Sequence, residues 1–178
     1  MHKLLLVPII VLLAGCAGAP TSSRSTSPGS QPSALPTSAV TATTMPGGCG
    51  STSVLKGGVP AWLDVAGGHN NPDSVPYVVT TPAQAAGFLF GYPLRAGAAV
   101  ENPNNKILWV VGQPRNGSDL AIAGHPVGAA NPSITQAQPA DSGPGEIYPT
   151  IVNVPVAGCW HFDLSWSGHK ASVELLYK

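Results

Sequence analysis

The strongest constraint on the fold lies near the C-terminus, in residues 159–177. Trp160, Phe162, Leu164 and Trp166 alternate with His161, Asp163 and Ser165, the two-residue period of a half-buried strand. Ser167-Gly168 follows as a two-residue turn, and the alternation resumes in Ala171, Val173, Leu175 and Tyr177. A turn at that place sets the register. Trp166 then faces His169, Leu164 faces Ala171, Phe162 faces Val173 and Trp160 faces Leu175. The other side of the ribbon pairs Ser165 with Lys170, Asp163 with Ser172 and His161 with Glu174. One face is apolar and aromatic, the other polar.

Similar short apolar runs recur upstream, at residues 76–80, 86–90, 107–111, 120–123 and 147–154, with Gly, Pro, Asn or Asp between them. No window keeps a 3.6-residue apolar period for three turns. About seven strands at this spacing predict an all-β sandwich. Residues 83–87 read as one helical turn, and 124–145 as a long loop around one short strand. Asn116-Gly117-Ser118 fits a glycosylation sequon by pattern, but Asn-Gly between two strands reads first as a turn.

The N-terminal part is organised differently. Lys3 precedes an apolar run from Leu4 to Leu13, closed by Leu13-Ala14-Gly15-Cys16. This is the layout of an export signal, too short in its core to span a membrane. Leu-Ala-Gly-Cys resembles the lipobox of bacterial lipoproteins. That resemblance implies a diacylglycerol on the Cys16 thiol, palmitate-type acyl chains, and cleavage that makes Cys16 the mature N-terminus. From Ala17 to Pro46 the chain is Ser, Thr, Pro, Ala and Gly with one charge, Arg24, and too little large apolar surface to offset its ordering entropy. The expected organisation is a signal peptide at 1–15, a lipidated cysteine with a disordered tether at 16–46, and a folded domain at 47–178.

Charged residues make up 9% of the chain and balance to a net charge of zero. Without a basic excess there is no electrostatic footprint for nucleic acid or for an anionic lipid surface. Membrane attachment must come from acyl chains, at about 0.8 kcal/mol per buried CH₂. Of three cysteines, lipidation of Cys16 leaves Cys49 and Cys159, which in an oxidising compartment read most simply as a disulfide. Such a bridge closes a loop of about 110 residues, worth near 4–5 kcal/mol in the chain-entropy view. The competing reading is a nucleophilic cysteine paired with a histidine, although neither cysteine has cationic neighbours to favour a thiolate.

Sites of chemistry are sparse. The chain has no Gly-x-Ser-x-Gly elbow, no His-Glu-x-x-His, no Gly-x-Gly-x-x-Gly and no phosphate loop. His69, His125, His161 and His169 raise a metal hypothesis, but the hairpin register puts His161 and His169 on opposite faces. A site therefore needs His69 or His125 brought in by loops, and His69, His125 and His161 are the weak candidates. Residues 67–74, Gly-Gly-His-Asn-Asn-Pro-Asp-Ser, concentrate polar side chains without the alternation of a calcium loop, and turn chemistry explains them equally. Asp141 and Glu146 are the close acidic pair of the second half, a conceivable acid–base pair on an unconstrained Gly-Pro loop. Trp62, Phe88, Phe90, Trp109, Trp160, Phe162 and Trp166 read mostly as core. Any exposed together would mark a binding surface.

Three segments, Gly87-Phe88-Leu89-Phe90-Gly91, residues 105–111 and Pro155-Val156-Ala157-Gly158-Cys159-Trp160-His161-Phe162, resemble a group of small lipoproteins from mycobacteria and related Gram-positive bacteria. The resemblance implies an immunoglobulin-like sandwich outside the membrane, and assigns no functional residue beyond Cys16. The expectation is a lipid-anchored envelope module on the extracytoplasmic side of the cell membrane. It needs no cofactor, binds an envelope partner or small ligand, or serves a structural role, and is not an enzyme. The alternative is a metal-binding or hydrolytic accessory protein using loop histidines and carboxylates.

Overall fold

A computed structural model describes residues 41–66, 75–97 and 105–178. In chain order these form β1 (Thr43–Cys49), β2 (Thr52–Lys56), α1 (Ala61–Val65), β3 (Tyr77–Val79), β4 (Ala85–Leu89), β5 (Lys106–Val111), β6 (Leu120–Pro126), β7 (Ile134–Gln138), β8 (Ile147–Ile151), β9 (Gly158–Trp166) and β10 (His169–Tyr177). A 3₁₀ turn spans Ala140–Ser142. Two antiparallel sheets result, one ordered β1-β2-β3-β4-β5-β8 and the other β10-β9-β6-β7. The all-β sandwich is thereby established.

The C-terminal hairpin has the register that its alternation dictates. All seven expected pairs are present, from Trp166 opposite His169 to Trp160 opposite Leu175 and His161 opposite Glu174. Its turn uses φ of +45° at Ser167 and +82° at Gly168, the left-handed geometry that matches strand twist. Asn116 and Gly117, at φ +50° and +74°, likewise form a turn between β5 and β6.

The connectivity follows from where the apolar surfaces must go. The chain passes from β5 in the large sheet to β6 in the small one, returns through β7 to β8, and crosses again to β9. β5 pairs with β8 and β6 with β9, the Greek-key arrangement of immunoglobulin-type sandwiches. Between the sheets lie Trp160, Phe162, Leu164, Trp166, Val173 and Tyr177 from the small sheet, facing Ile107, Trp109, Val111 and Tyr148 from the large one. On the far side of the large sheet α1 inserts Leu63 against Tyr77, Ala86, Phe88 and Val110. Burial on both faces explains why β4 and most of β5 read as unbroken apolar runs rather than alternating ones.

Two sequence expectations need correction. Residues 83–87 are not a helical turn: Ala85–Leu89 is strand β4, held between β3 and β5. Thr80 fixes the approach, its hydroxyl accepting the Ala85 N–H at 3.0 Å. The helical turn lies instead at Ala61–Val65. The ladder also starts earlier than composition suggests, because Thr43, Thr44 and Met45 pair with Lys56, Leu55 and Val54. Backbone pairing does not require large apolar side chains, so a Thr-Thr-Met-Pro segment assigned to the tether still forms strand. Cys16, His69 and the polar loop 67–74 lie outside the described residues.

Candidate functional site

The polar face of the small sheet carries the one convergence of titratable side chains among the described residues that joins expected site positions. Pairing sets it out as a row across three strands: His125 on β6 is opposite His161 on β9, which is opposite Glu174 on β10. The two imidazoles stack with centroids 5.4 Å apart. His161 Nε2 is 3.4 Å from Asp163 Oδ1, and its Nδ1 is 3.8 Å from Glu174 Oε1. His125 Nδ1 lies 3.0 Å from the carbonyls of Pro126 and Ala129.

The disulfide frames this row. Cys49 and Cys159 are bridged, with Cα atoms 5.7 Å apart and 110 residues between them in sequence. Cys159 is two residues before His161 and on the same face of β9. The bridge brings the β1–β2 turn over β10, where Ser51 N–H donates to Glu174 Oε2 at 2.6 Å and the Glu174 amide donates to Thr52 Oγ1 at 2.9 Å. Gly50 permits this approach: its φ is +56°, and a Cβ there would lie 1.8 Å from Glu174 Oε2. Ser51's amide above all, with its hydroxyl and the nearby His161, holds the Glu174 carboxyl below the ordinary range, against the opposing effect of burial.

The remaining expected sites separate. His169 packs against Trp166 with centroids 5.6 Å apart, on the face away from His161. Glu146 is engaged by Arg115, whose amide donates to Oε2 at 2.7 Å and whose guanidinium donates to the Ile147 and Gly143 carbonyls. Asp141 stands exposed on the 3₁₀ turn, so the two carboxylates do not work as a pair. Of the aromatics, Phe88, Trp109, Trp160, Phe162 and Trp166 are buried. Trp62 is half-buried, and Phe90 is exposed beside Lys106, whose Nζ is 5.3 Å from its ring centroid. They form no shared surface. Among the described residues, no group of three or more His, Cys, Asp or Glu side chains is placed to hold a metal ion.

Sequence reasoning placed His161 and Glu174 together but did not bring His125 to them. The pairing of β6 with β9 does that, and no local signal encodes it. It also missed Asn105, which is fully buried. Asn105 Oδ1 accepts the Arg95 N–H, and its Nδ2 donates to Arg95 O and Asn153 Oδ1, all at 2.8–2.9 Å. Each polar atom is thereby satisfied.

Fold and site together define a disulfide-bridged, all-β sandwich domain with a polar histidine–carboxylate row on its smaller sheet. No protein-family model, no curated protein and no solved structure matches the chain.

Proposed function

We propose that this chain is a lipid-anchored envelope protein whose sandwich domain is held outside the membrane as a non-enzymatic binding or structural module. The observation that carries this reading is the Cys49–Cys159 bridge. Disulfides persist in oxidising compartments, and this pair remains when the lipobox cysteine is set aside. A leader ending in Leu13-Ala14-Gly15-Cys16 supports the same destination, with acyl chains on Cys16 as the attachment. Among the described residues no helix is long and apolar enough to cross a membrane. The resemblance to small Gram-positive lipoproteins points the same way.

Cell fractionation tests the anchor. The unaltered chain should sediment with membranes, and Cys16→Ser should lack acyl chains and be largely shed into the medium. Equal membrane recovery of both would defeat the proposal.

A second reading, metal binding, draws on the stack of His125 and His161 beside Asp163 and Glu174. It requires these side chains to move, because as placed they form no ligand set. Thermal shift with zinc, copper or calcium decides it, since a ligand selective for the folded state raises apparent stability. A shift abolished by His161→Ala supports metal binding, and no shift with any of the three rejects it.

A further inference from the structure

The exposed apolar side chains of the sandwich are unevenly placed. Of the large apolar side chains that stand in solvent among the described residues, Val65 closes α1, while Phe90, Val127, Ile151 and Val156, each 43–52% exposed, gather at one end. Phe90 follows β4 and Ile151 closes β8, and both border Lys106 at the start of β5. Val127 follows β6 and Val156 precedes β9. Their loops are adjacent: the Val127 N–H donates to Cys159 O at 2.8 Å, and Trp160 Nε1 donates to Val156 O at 3.0 Å. Ala96 and Gly97 tie the two sheets together here, donating to Lys178 O and Val154 O. Residues 126–133, Pro-Val-Gly-Ala-Ala-Asn-Pro-Ser, and 155–158, Pro-Val-Ala-Gly, hold no Asp, Glu, Lys or Arg. Single exposed apolar residues are ordinary, but such a grouping marks an interaction surface.

The chain enters the domain at this same end. Thr44, Leu55, Tyr77, Phe88 and Leu108 pair in one row across the large sheet. Thr43 lies one step beyond Thr44 on the side toward Phe90, so the segment from Cys16 arrives where the apolar residues gather. Cys16 is 25 residues before Thr41, a span of up to about 85 Å. We propose that this end of the sandwich rests in the headgroup layer of the bilayer, a second contact that orients a domain already held by acyl chains on Cys16. The inference rests on the lipid-anchor reading above.

The point of entry selects the bilayer as occupant. An anchored lipid brings membrane to this end of the domain rather than to the other. Once the chain is anchored, a contact too weak to form alone is populated, because the effective concentration of its target is high. Aliphatic side chains beside exposed Lys56, Arg95 and Lys106 suit the boundary between acyl chains and phosphates. Asp119 before β6, Asp141 on the 3₁₀ turn and Glu146 before β8 lie at the opposite end. Asp73 and Glu101 belong to segments outside the described residues that adjoin the apolar end in sequence. Aliphatic burial, not net charge, therefore carries the inference.

Fluorescence quenching tests this on the full acylated chain in vesicles of phosphatidylcholine and phosphatidylglycerol. With Cys16 acylated and Cys49 bridged to Cys159, a cysteine introduced by Val156→Cys takes an environment-sensitive dye without reduction. Gln113→Cys, exposed between β5 and β6 at the other end, is the control. Both side chains are exposed, so the fold is spared, which circular dichroism checks. Lipids carrying a nitroxide on the acyl chain should quench the dye at 156 about threefold more than at 113, and Val127→Asp should remove most of that difference. Equal quenching at 156 and 113 on an acylated chain overturns the inference and leaves the anchor standing. Quenching indifferent to Val127→Asp overturns it too. A dye at 156 that is shielded from water yet not quenched means that protein covers this end, which also overturns it. A chain whose mass shows no acyl group fails the anchor reading first, and this inference with it.

Discussion

At Gly50 two requirements coincide: a left-handed backbone and no side chain beneath the Glu174 carboxylate. Gly50→Ala should therefore cost about 1–3 kcal/mol, from backbone strain and displaced contacts together. Urea denaturation measures this, and an unchanged midpoint would contradict the placement of the β1–β2 turn. Glu174 has a consequence for pH. Its carboxyl is held below the ordinary value of 4.5, chiefly by Ser51's amide, with His161 contributing and Asp163 close by on the same face. The folded chain thus keeps this group ionised where the unfolded chain protonates it. The stabilisation is complete above the ordinary value and disappears as pH falls below it. Glu174→Gln should lose less stability than the parent between about pH 5 and pH 3. Parallel acid limbs in the two denaturation series would refute that assignment. Glu146, just before β8 in the other sheet, shows how a carboxylate that looks reactive in sequence becomes structural once Arg115 is folded against it.

Elements differ in how much of their placement can be read from the chain. The β9–β10 hairpin was fully legible, because two-residue alternation and a Ser-Gly turn act locally and agree. β4 was legible as the strand-length run at 86–90, but Ala85–Leu89 is buried on both faces and shows no alternation, so its start was open to being misread as a helical turn at 83–87. β1 was hidden by Thr, Pro and Gly, residues that signal a linker until a partner strand supplies their backbone bonds. The His125–His161 contact depends on β6 meeting β9 across the sandwich, a tertiary fact without a local signature. Burial makes sharp distinctions that mutagenesis can check. Phe162→Ala, in the core, should cost about 3–5 kcal/mol, whereas Phe90→Ala, at 52% exposure, should change stability by under about 0.5 kcal/mol. Comparable losses at both positions would mean that the inner face of β9 is wrongly assigned. The Cys49–Cys159 bridge closes a loop 110 residues long, so replacing both cysteines with serine should cost about 2–5 kcal/mol. A loss below 1 kcal/mol, read from denaturant midpoints, would show that the hairpin and the β1–β2 turn are held by other contacts.

For the molecule as a whole, the account joins a protein body to an address. The body is a sandwich with an oxidised cysteine pair, and the proposed address is the outer side of a membrane, reached through fatty acid on one sulfur. Both parts are written in the same three cysteines, and chemistry at those sulfurs therefore tests the account most directly. Intact-mass analysis of the native chain, after alkylation under denaturing but non-reducing conditions, reads all three at once. The account predicts a chain that begins at Cys16, carries the mass of acyl chains and takes up no alkylating agent at Cys49 or Cys159. A chain that retains its leader, or one trimmed there without added lipid, or a label on either of the later cysteines, would contradict it.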